Sequence, residues 1–233
     1  MSEPTTPPAP PPGTAPASRA DTPIPEATVA RLPAYLQVLA RAADDGAVTV
    51  SSDELAQACG TTSAMVRKDL SCLGSHGTRG VGYPVAALTA ELSRVLGLDA
   101  DRPVVLVGIG NLGRALATYG GFERRGFRIV ALVDDDPAKL GQSVGHHHIR
   151  SVAELAPLLD AEHAPLAVLT VPDEAAQAVA DRLVALGVTA ILSFASRYLD
   201  VPPEVTVRRV DLSCELQILS FYAQLTAGLP AVS

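Results

Sequence analysis

The first strong pattern of apolar and polar residues lies between residues 26 and 42 and has helical spacing. Apolar residues recur three or four positions apart, at Val29, Leu32, Leu36 and Leu39. This spacing is typical of a helix that buries one face. Pro33 falls inside the pattern, so the helix either begins near Pro33 or kinks there.

Two shorter helices are predicted next, with only a short turn between them. Ser51 and Glu54 form a capping-box signature in front of the first. Thr61 or Thr62 caps the second, which covers residues 63–73, and a glycine follows each helix. Two short helices joined in this way predict a helix-turn-helix.

The second of these helices divides into two chemically different faces. Val66, Leu70 and Leu73 fall on one side and form an inward stripe. The other side is small and basic, as suits a helix in a major groove. The residues that we expect to contact DNA there are Ser63, Ala64, Arg67, Lys68 and Ser71.

A glycine-rich segment, residues 76–83, follows this helix and predicts a tight hairpin. Gly77, Gly80 and Gly82 permit the turn, and Arg79 lies at its tip. The hairpin is interpreted as a wing whose Arg79 and Gly80 contact DNA, with the arginine in a minor groove. The alternative is a small helical domain with a solvated basic face.

From residue 102 onward, apolar strand-like runs alternate with helical runs. The strand-like runs cover residues 104–107, 128–133, 166–171, 190–194 and 205–210. This alternation predicts an α/β fold with a parallel sheet covered on both faces. The last segment, residues 211–229, is helical in spacing but apolar on several sides, which favours insertion between domains or into a partner chain.

Composition limits the classes of protein that this chain can belong to. The net charge is −7, so a generally basic coat for nucleic acid is absent, and residues 24–98 are close to neutral. Eight of the first 23 residues are proline, which predicts a disordered tail. This segment has neither a basic n-region nor an apolar h-region, so we do not expect it to be a signal peptide. No apolar run has membrane-spanning length, so we expect a cytoplasmic protein with no membrane partner. The three cysteines lack metal-ligand spacing and are expected to be free thiols.

The segment V107-G-I-G-N-L-G-R114 carries a dinucleotide fingerprint between a predicted strand and a predicted helix. Gly108 makes the turn, Gly110 lets the backbone approach the pyrophosphate, and Gly113 lets the helix pack against the strand. Ile109, between the first two glycines, is also expected to bind the cofactor. The amides of Asn111 and Leu112, at the N-terminus of the helix, meet the negative phosphates.

An acid at the end of the next strand completes the fingerprint. Asp134 lies 21 residues after Gly113 and is expected to bind the adenine ribose, which favours NAD over NADP. Asp136 is the alternative ribose partner. The competing interpretation of both acids is a solvated turn after a strand.

The sequence offers a dinucleotide site but no second domain for a substrate. The segment Thr170, Val171 and Pro172 ends a strand beside the nicotinamide half of the cofactor. The histidine triplet 146–148 has no acids or cysteines near it in sequence, and we expect no metal site. A nucleotide site without a substrate site suggests a sensor. A small NAD-dependent oxidoreductase and a thiol-based redox regulator remain alternatives.

Five short strings occur along the chain in this order: V66-R-K-D-L-S, G77-T-R-G-V-G-Y, the nucleotide loop, G121-F and D134-D-D-P. Together they resemble the Rex family of redox-sensing transcriptional repressors. The resemblance covers about Ile24 to Leu229. It implies a repressor, not an enzyme, that binds palindromic operator DNA as a homodimer and releases it when NADH binds.

The resemblance also implies an architecture and further site residues. It divides the chain into a tail (1–23), a winged-helix domain (24–98), a Rossmann domain (99–211) and an exchanged C-terminal helix (212–233). Tyr119 and Asp211 match family positions near the nicotinamide and the subunit interface. In some family members, the acid at the position of Asp211 pairs with an arginine of the first helix. At the position of that arginine this chain has Gln37. That difference puts such a pair in doubt here.

Overall fold

The computed structural model describes residues 24–74, 77–78 and 80–226 of the chain. The predicted disordered tail, Arg79 and the last residues of the predicted terminal helix therefore lie outside the described residues. The chain divides into two compact units, Met1–Gly97 and Leu98–Ser233.

The N-terminal unit is helical and carries one small antiparallel sheet. Its helices are α1 (Glu26–Val29), α2 (Leu32–Asp44), α3 (Ser52–Cys59), α4 (Ser63–Cys72) and α5 (Val85–Val95). Strand β1 (Thr49–Val50) pairs with β2 (Tyr83–Pro84). The largest fully buried side chains of this unit are Leu32, Tyr35, Leu39, Leu55, Leu70 and Leu92.

The ends of these helices follow from local chemistry. Pro33 lies in the first turn of α2, where a missing N–H costs nothing, so a new helix begins there. Ser51 and Glu54 form the predicted capping box of α3. Thr62, rather than Thr61, caps α4 by accepting a hydrogen bond of 3.2 Å from the Met65 amide.

The C-terminal unit is built on a seven-stranded sheet with the order β5-β6-β4-β3-β7-β8-β9. The strands are β3 (Arg102–Val107), β4 (Phe127–Asp134), β5 (Ser143–Val144), β6 (His147–Ser151), β7 (Leu166–Leu169), β8 (Ala190–Ser193) and β9 (Thr206–Arg209). All pairs are parallel except β5 with β6. This is the predicted α/β fold with a doubly wound order.

Four α-helices are described in this unit: α6 (Asn111–Ala117), α7 (Leu155–Glu162), α8 (Asp173–Ala185) and α9 (Leu212–Thr226). Helices α7 and α8 pack on one face of the sheet in a shared core. Helix α6 contributes Leu116 and Ala117 to a second core with other residues of the sheet.

The strand-like runs predicted from the sequence do not include residues 143–144 and 147–151, which the structure assigns to two further strands. His147 and His148 belong to β6, and Ser143 and Val144 to β5, so the segment is a hairpin at the sheet edge. Only Val144 and Ile149 of its side chains are buried, which is too little to produce a recognisable apolar pattern.

Two apolar surfaces of this unit are open in the single chain. Seven large apolar residues of α9 are between 47% and 67% exposed: Leu212, Leu216, Ile218, Leu219, Phe221, Tyr222 and Leu225. A cavity of about 460 Å³ also lies against the sheet, and Val104, Leu166 and Leu192 are among its lining residues. Within the described residues, no helix has the length and apolar character needed to cross a membrane.

Candidate functional sites

The three glycines of the nucleotide loop have different surroundings. A Cβ atom on Gly108 would lie 2.7 Å from Val171 Cγ1, and one on Gly113 would lie 2.1 Å from the Gly108 carbonyl oxygen. A Cβ atom on Gly110 would meet no atom within 4 Å. Gly108 and Gly113 therefore permit close packing, whereas Gly110 faces open space where a ligand can approach the backbone.

The end of β7 holds the nucleotide loop in place. The hydroxyl of Thr170 donates a hydrogen bond of 2.5 Å to the Gly108 carbonyl. Val171 packs against the loop, since its Cγ1 atom would lie 2.7 Å from a Cβ atom placed on Gly108. Pro172 precedes the first turn of α8. Of these three predicted residues, Thr170 and Val171 thus lie beside the turn between β3 and α6. Strand β7, which they follow, flanks β3 on the side opposite β4.

Asp134 is buried and its carboxylate is already occupied by protein donors. Oδ2 accepts a hydrogen bond of 2.6 Å from the Ile109 amide, and Oδ1 accepts one of 2.9 Å from the Asp136 amide. The ammonium of Lys139 lies 3.0 Å from Oδ2. Burial acts to raise the pKa of Asp134, but these donors outweigh it, so the pKa lies below its ordinary value.

Asp136 is more accessible than Asp134. Its side chain is 45% exposed, against 5% for that of Asp134. Oδ1 of Asp136 accepts a hydrogen bond from the Ala138 amide, and Oδ2 lies 3.8 Å from the Lys139 ammonium. Of the two acids that the sequence offered as ribose partners, Asp136 is the one that solvent reaches.

The remaining predicted cofactor residues lie at varied depths. Ile109 is fully buried, while Asn111 and Leu112 are exposed at the start of α6. Tyr119 is 51% exposed, and its ring stacks edge-on against Phe122 with 5.3 Å between centroids. Asp211 precedes α9, where hydrogen bonds from the Ser213 and Cys214 side chains and from their amides lower its pKa to about 2.

Helix α4 of the N-terminal unit has the two faces that its sequence predicts. Val66 and Leu70 are fully buried. The predicted DNA-contacting face is open to solvent: Ala64, Arg67, Lys68 and Ser71 are exposed, and Ser63 is half-buried. The Arg67 guanidinium donates a hydrogen bond of 3.0 Å to the Ser52 hydroxyl of α3.

The predicted wing is a tight turn between Thr78 and Gly82. These two residues exchange backbone hydrogen bonds of 2.9 Å in both directions, and Gly80 has a φ of +81°. Gly82 has a φ of +93°, and a Cβ atom there would lie 2.4 Å from the Val50 carbonyl oxygen. The close approach anchors the turn against β1.

Sequence reasoning missed the most extensive polar cluster in the N-terminal unit. Asp69 of α4 is fully buried and accepts hydrogen bonds from Thr28, Arg31 and Tyr35. The signal was present, because position 69 falls on the inward face between Val66 and Leu70. An acid on an apolar stripe indicates a buried partner.

Two of the three thiol groups have surroundings that disfavour redox chemistry. Burial raises the pKa of Cys59, and a hydrogen bond to Asp211 raises that of Cys214. A raised pKa reduces the thiolate fraction and therefore the reactivity. Cys72 is exposed and donates to the Lys68 carbonyl at 3.3 Å. The surroundings of Cys59 and Cys214 therefore do not favour a thiol-based regulator at either residue.

Comparison with known proteins decides the family. Residues 23–71 match the family described as putative DNA-binding protein N-terminus, and residues 99–197 match the CoA binding domain. A redox-sensing transcriptional repressor Rex of Streptomyces avermitilis is 55% identical over 210 residues, covering 90% of this chain and 83% of the relative. The chain belongs to the Rex family.

Solved structures agree with this Rex assignment. The chain resembles the Rex-family repressor RSP in its complex with NADH, with a TM-score of 0.80 and 31% identity. It resembles RSP in complex with NAD⁺ and operator DNA with a TM-score of 0.82 and 32% identity. These likenesses cover 89% of this chain and 97% and 95% of the two RSP chains. Relatives in the Rex family are named transcriptional repressors rather than enzymes.

Proposed function

We propose that this protein is a transcriptional repressor that binds operator DNA and releases it when NADH binds, and so responds to the ratio of NADH to NAD⁺. The observation that carries the proposal is the open space at Gly110, inside a glycine loop whose other members are tightly packed. The same chain also carries an exposed basic face on α4, at Arg67 and Lys68. Family membership agrees with both halves of the proposal.

The C-terminal unit is proposed to bind the dinucleotide at the nucleotide loop. The open side of Gly110 and the amides of Asn111 and Leu112 form the pyrophosphate site. Asp136 is the proposed acceptor for the adenine ribose hydroxyls, because its carboxylate is accessible. Asp134 instead fixes the loop and the turn through the Ile109 and Asp136 amides. When bound, the cofactor supplies a nicotinamide whose charge depends on its redox state.

The N-terminal unit is proposed to read DNA with α4 and the wing. Arg67, Lys68, Ser63, Ala64 and Ser71 form the face that enters the major groove. Arg79 and Gly80 contact DNA from the wing. Only a few cations are involved for each subunit, so firm binding needs two linked subunits on a palindromic site.

A homodimer is proposed from the two open apolar surfaces of the C-terminal unit. An apolar helix that is exposed along its whole described length is unfavourable in water. Helix α9 of each subunit is therefore proposed to pack on the partner, in the exchanged arrangement that family resemblance implies. A carboxylate with a pKa of about 2 at its start, Asp211, keeps its negative charge at that interface.

The experiment that tests the function is a pair of titrations. NADH affinity is measured with and without operator duplex, and operator affinity with and without NADH. A coupling of about 3 kcal/mol changes both affinities about 150-fold, because linkage is reciprocal. NAD⁺ is expected to leave the operator bound or to compete with NADH. Equal NADH affinities with and without DNA would rule out the switch.

The proposal includes a cytoplasmic location and the lack of enzymatic turnover. In the described part of the chain after β9, α9 is the only element. An assay of NADH oxidation over candidate substrates distinguishes the sensor from a small oxidoreductase, since a sensor consumes no NADH.

A further inference from the structure

Helix α4, which carries the predicted DNA-contacting face, is attached to the rest of its unit by a buried ionic cluster. Oδ1 of Asp69 accepts from Thr28 Oγ1 at 2.9 Å and from Arg31 Nη2 at 2.7 Å. Oδ2 accepts from Arg31 Nε at 2.6 Å and from Tyr35 Oη at 2.8 Å. The carboxylate of α4 thus receives four hydrogen bonds from α1, α2 and the residue immediately before α2.

These bonds outweigh the cost of burying the charge. The Asp69 side chain is 1% exposed, and burial alone acts to raise its pKa. Hydrogen bonds from Arg31, Tyr35 and Thr28 reverse that effect, so the pKa lies below its ordinary value and the carboxylate stays ionised. The hydrogen bonds to the Asp69 carboxylate also raise the pKa of the Arg31 guanidinium.

Stability alone is a weak explanation for such a cluster. A buried ion pair gains little over well-packed apolar side chains of the same volume. What it supplies is direction, because hydrogen bonds weaken steeply with distance and angle, whereas apolar contacts tolerate sliding. The bidentate guanidinium in particular fixes the plane of the carboxylate.

We propose that Asp69 is a positioning residue for DNA recognition, which sets the rotation of α4 about its own axis through the cage of Thr28, Arg31 and Tyr35. Arg67 and Lys68 come directly before it on the helix, so a rotation of α4 moves both side chains relative to the base edges. Base recognition needs donors within about 0.5 Å and 10–20° of their target geometry, whereas phosphate contacts tolerate more. This inference rests on the proposed function, in which α4 reads DNA.

The test compares specific with non-specific binding. The specific probe is a palindromic duplex that the full-length protein selects from a random library, and the non-specific probe is a scrambled duplex of the same length and composition. Asp69→Asn keeps the volume and removes the charge. Asp44→Asn is the matched control, because it removes the same charge from the exposed end of α2.

Asp69→Asn is expected to lower affinity for the selected duplex by about tenfold or more, with affinity for the scrambled duplex kept within about twofold. NADH affinity and the control variant should match the unaltered protein. A parallel loss on both duplexes would reduce Asp69 to a structural residue and overturn the proposal, as would no loss on either.

Two milder variants keep the proposal open to refutation if Asp69→Asn does not fold. Tyr35→Phe and Thr28→Val each remove one donor and preserve the core volume. Both are expected to reduce the specific-to-non-specific ratio by about threefold, and unchanged ratios would overturn the proposal. Failure of the unaltered protein to select any duplex would instead refute the proposed function itself.

Discussion

Single glycines of the nucleotide loop separate folding from binding at the residue scale. Gly113 leaves no room for a methyl group, because its Cβ would lie 2.1 Å from the Gly108 carbonyl oxygen. Gly110 has an ordinary φ of −82° and an empty surrounding, so an alanine there meets no protein atom. The two positions lie three residues apart and form a matched pair.

Gly110→Ala is expected to fold normally and to lower NADH affinity by about tenfold or more, because the methyl group occupies the approach of the pyrophosphate. Gly113→Ala is expected to reduce the free energy of unfolding by about 2 kcal/mol or more through overpacking. Thermal unfolding and NADH titration of both variants check this. Normal NADH binding by Gly110→Ala would show that the dinucleotide lies elsewhere.

The two acids after β4 are also expected to differ. Asp136→Ala should weaken NADH and reduce discrimination against NADPH, because an accessible carboxylate repels the 2′-phosphate. Asp134→Asn should weaken both cofactors equally, since it loosens the loop through the Ile109 amide. Titrations with NADH and NADPH give the ratio for each variant. A changed ratio only in Asp134→Asn would assign the ribose to Asp134 instead.

The Tyr35 phenol makes a pH prediction. Burial and the hydrogen bond to Asp69 raise its pKa from 10.0 to about 12. The folded state therefore holds this proton more tightly than the unfolded state. Its contribution to stability is complete below pH 10 and is lost as the pH rises to about 12. Between pH 10 and about 12, the free energy of unfolding of the full chain should fall by about 2 kcal/mol less in Tyr35→Phe than in the unaltered protein. Equal slopes would contradict the shift.

At the scale of elements, the wing passes close to the backbone of β1 at Gly82. Gly82 combines a φ of +93° with a would-be Cβ only 2.4 Å from the Val50 carbonyl oxygen. Gly46, in the turn after α2, has a similar φ of +77° but open space around it. A substitution at Gly46 therefore measures backbone strain without displacement of the wing.

Gly82→Ala is expected to push the wing away from β1 and to lower operator affinity by about tenfold, while NADH affinity stays unchanged. Gly46→Ala should cost about 1 kcal/mol of stability and leave operator affinity intact. Electrophoretic mobility shifts with the selected duplex compare the two. If both variants bind DNA equally well, the wing makes no contact that matters.

Elements with strong local patterns were predictable from the sequence, and those without them were not. The parallel strands β3, β4, β7 and β8 contain continuous apolar runs, and the capped helices begin with recognisable cap residues. The edge hairpin of β5 and β6 has two buried side chains and three histidines, so no period reveals it. In the candidate sites, the glycine spacing and the inward position of Asp69 were readable. The partners were not, because the donors to Asp69 lie 34 to 41 positions away and the Ile109 amide that binds Asp134 lies 25 positions away.

At the scale of the whole molecule, the exposed α9 makes the single chain incomplete. Leu216 and Leu219 are 67% and 61% exposed, and charges there should keep the helix soluble but remove it from an apolar partner surface. The double variant Leu216→Glu and Leu219→Glu is expected to be a monomer that still binds NADH. Its operator affinity should fall by about 100-fold, because the single N-terminal unit of a monomer contacts only one half-site.

Analytical ultracentrifugation and DNA titration check this prediction. Glu215→Gln is a suitable control, because it alters charge on the same exposed helix without touching an apolar residue. A dimer that persists in the double variant would place the subunit interface away from α9.

The sheet order has a consequence for synthesis on the ribosome. Strand β3 is the first strand of its unit to be made, yet it is central and pairs with β7, Val104 opposite Leu166, some 60 residues later. Such distant pairings close slowly, whereas the preceding helical unit has short loops and folds quickly. Domains fold in the order in which they leave the ribosome, so the N-terminal unit of each nascent chain is folded before its C-terminal unit is complete. A single N-terminal unit contacts only one half-site. We therefore expect an unfinished chain to compete poorly with the complete protein for the operator.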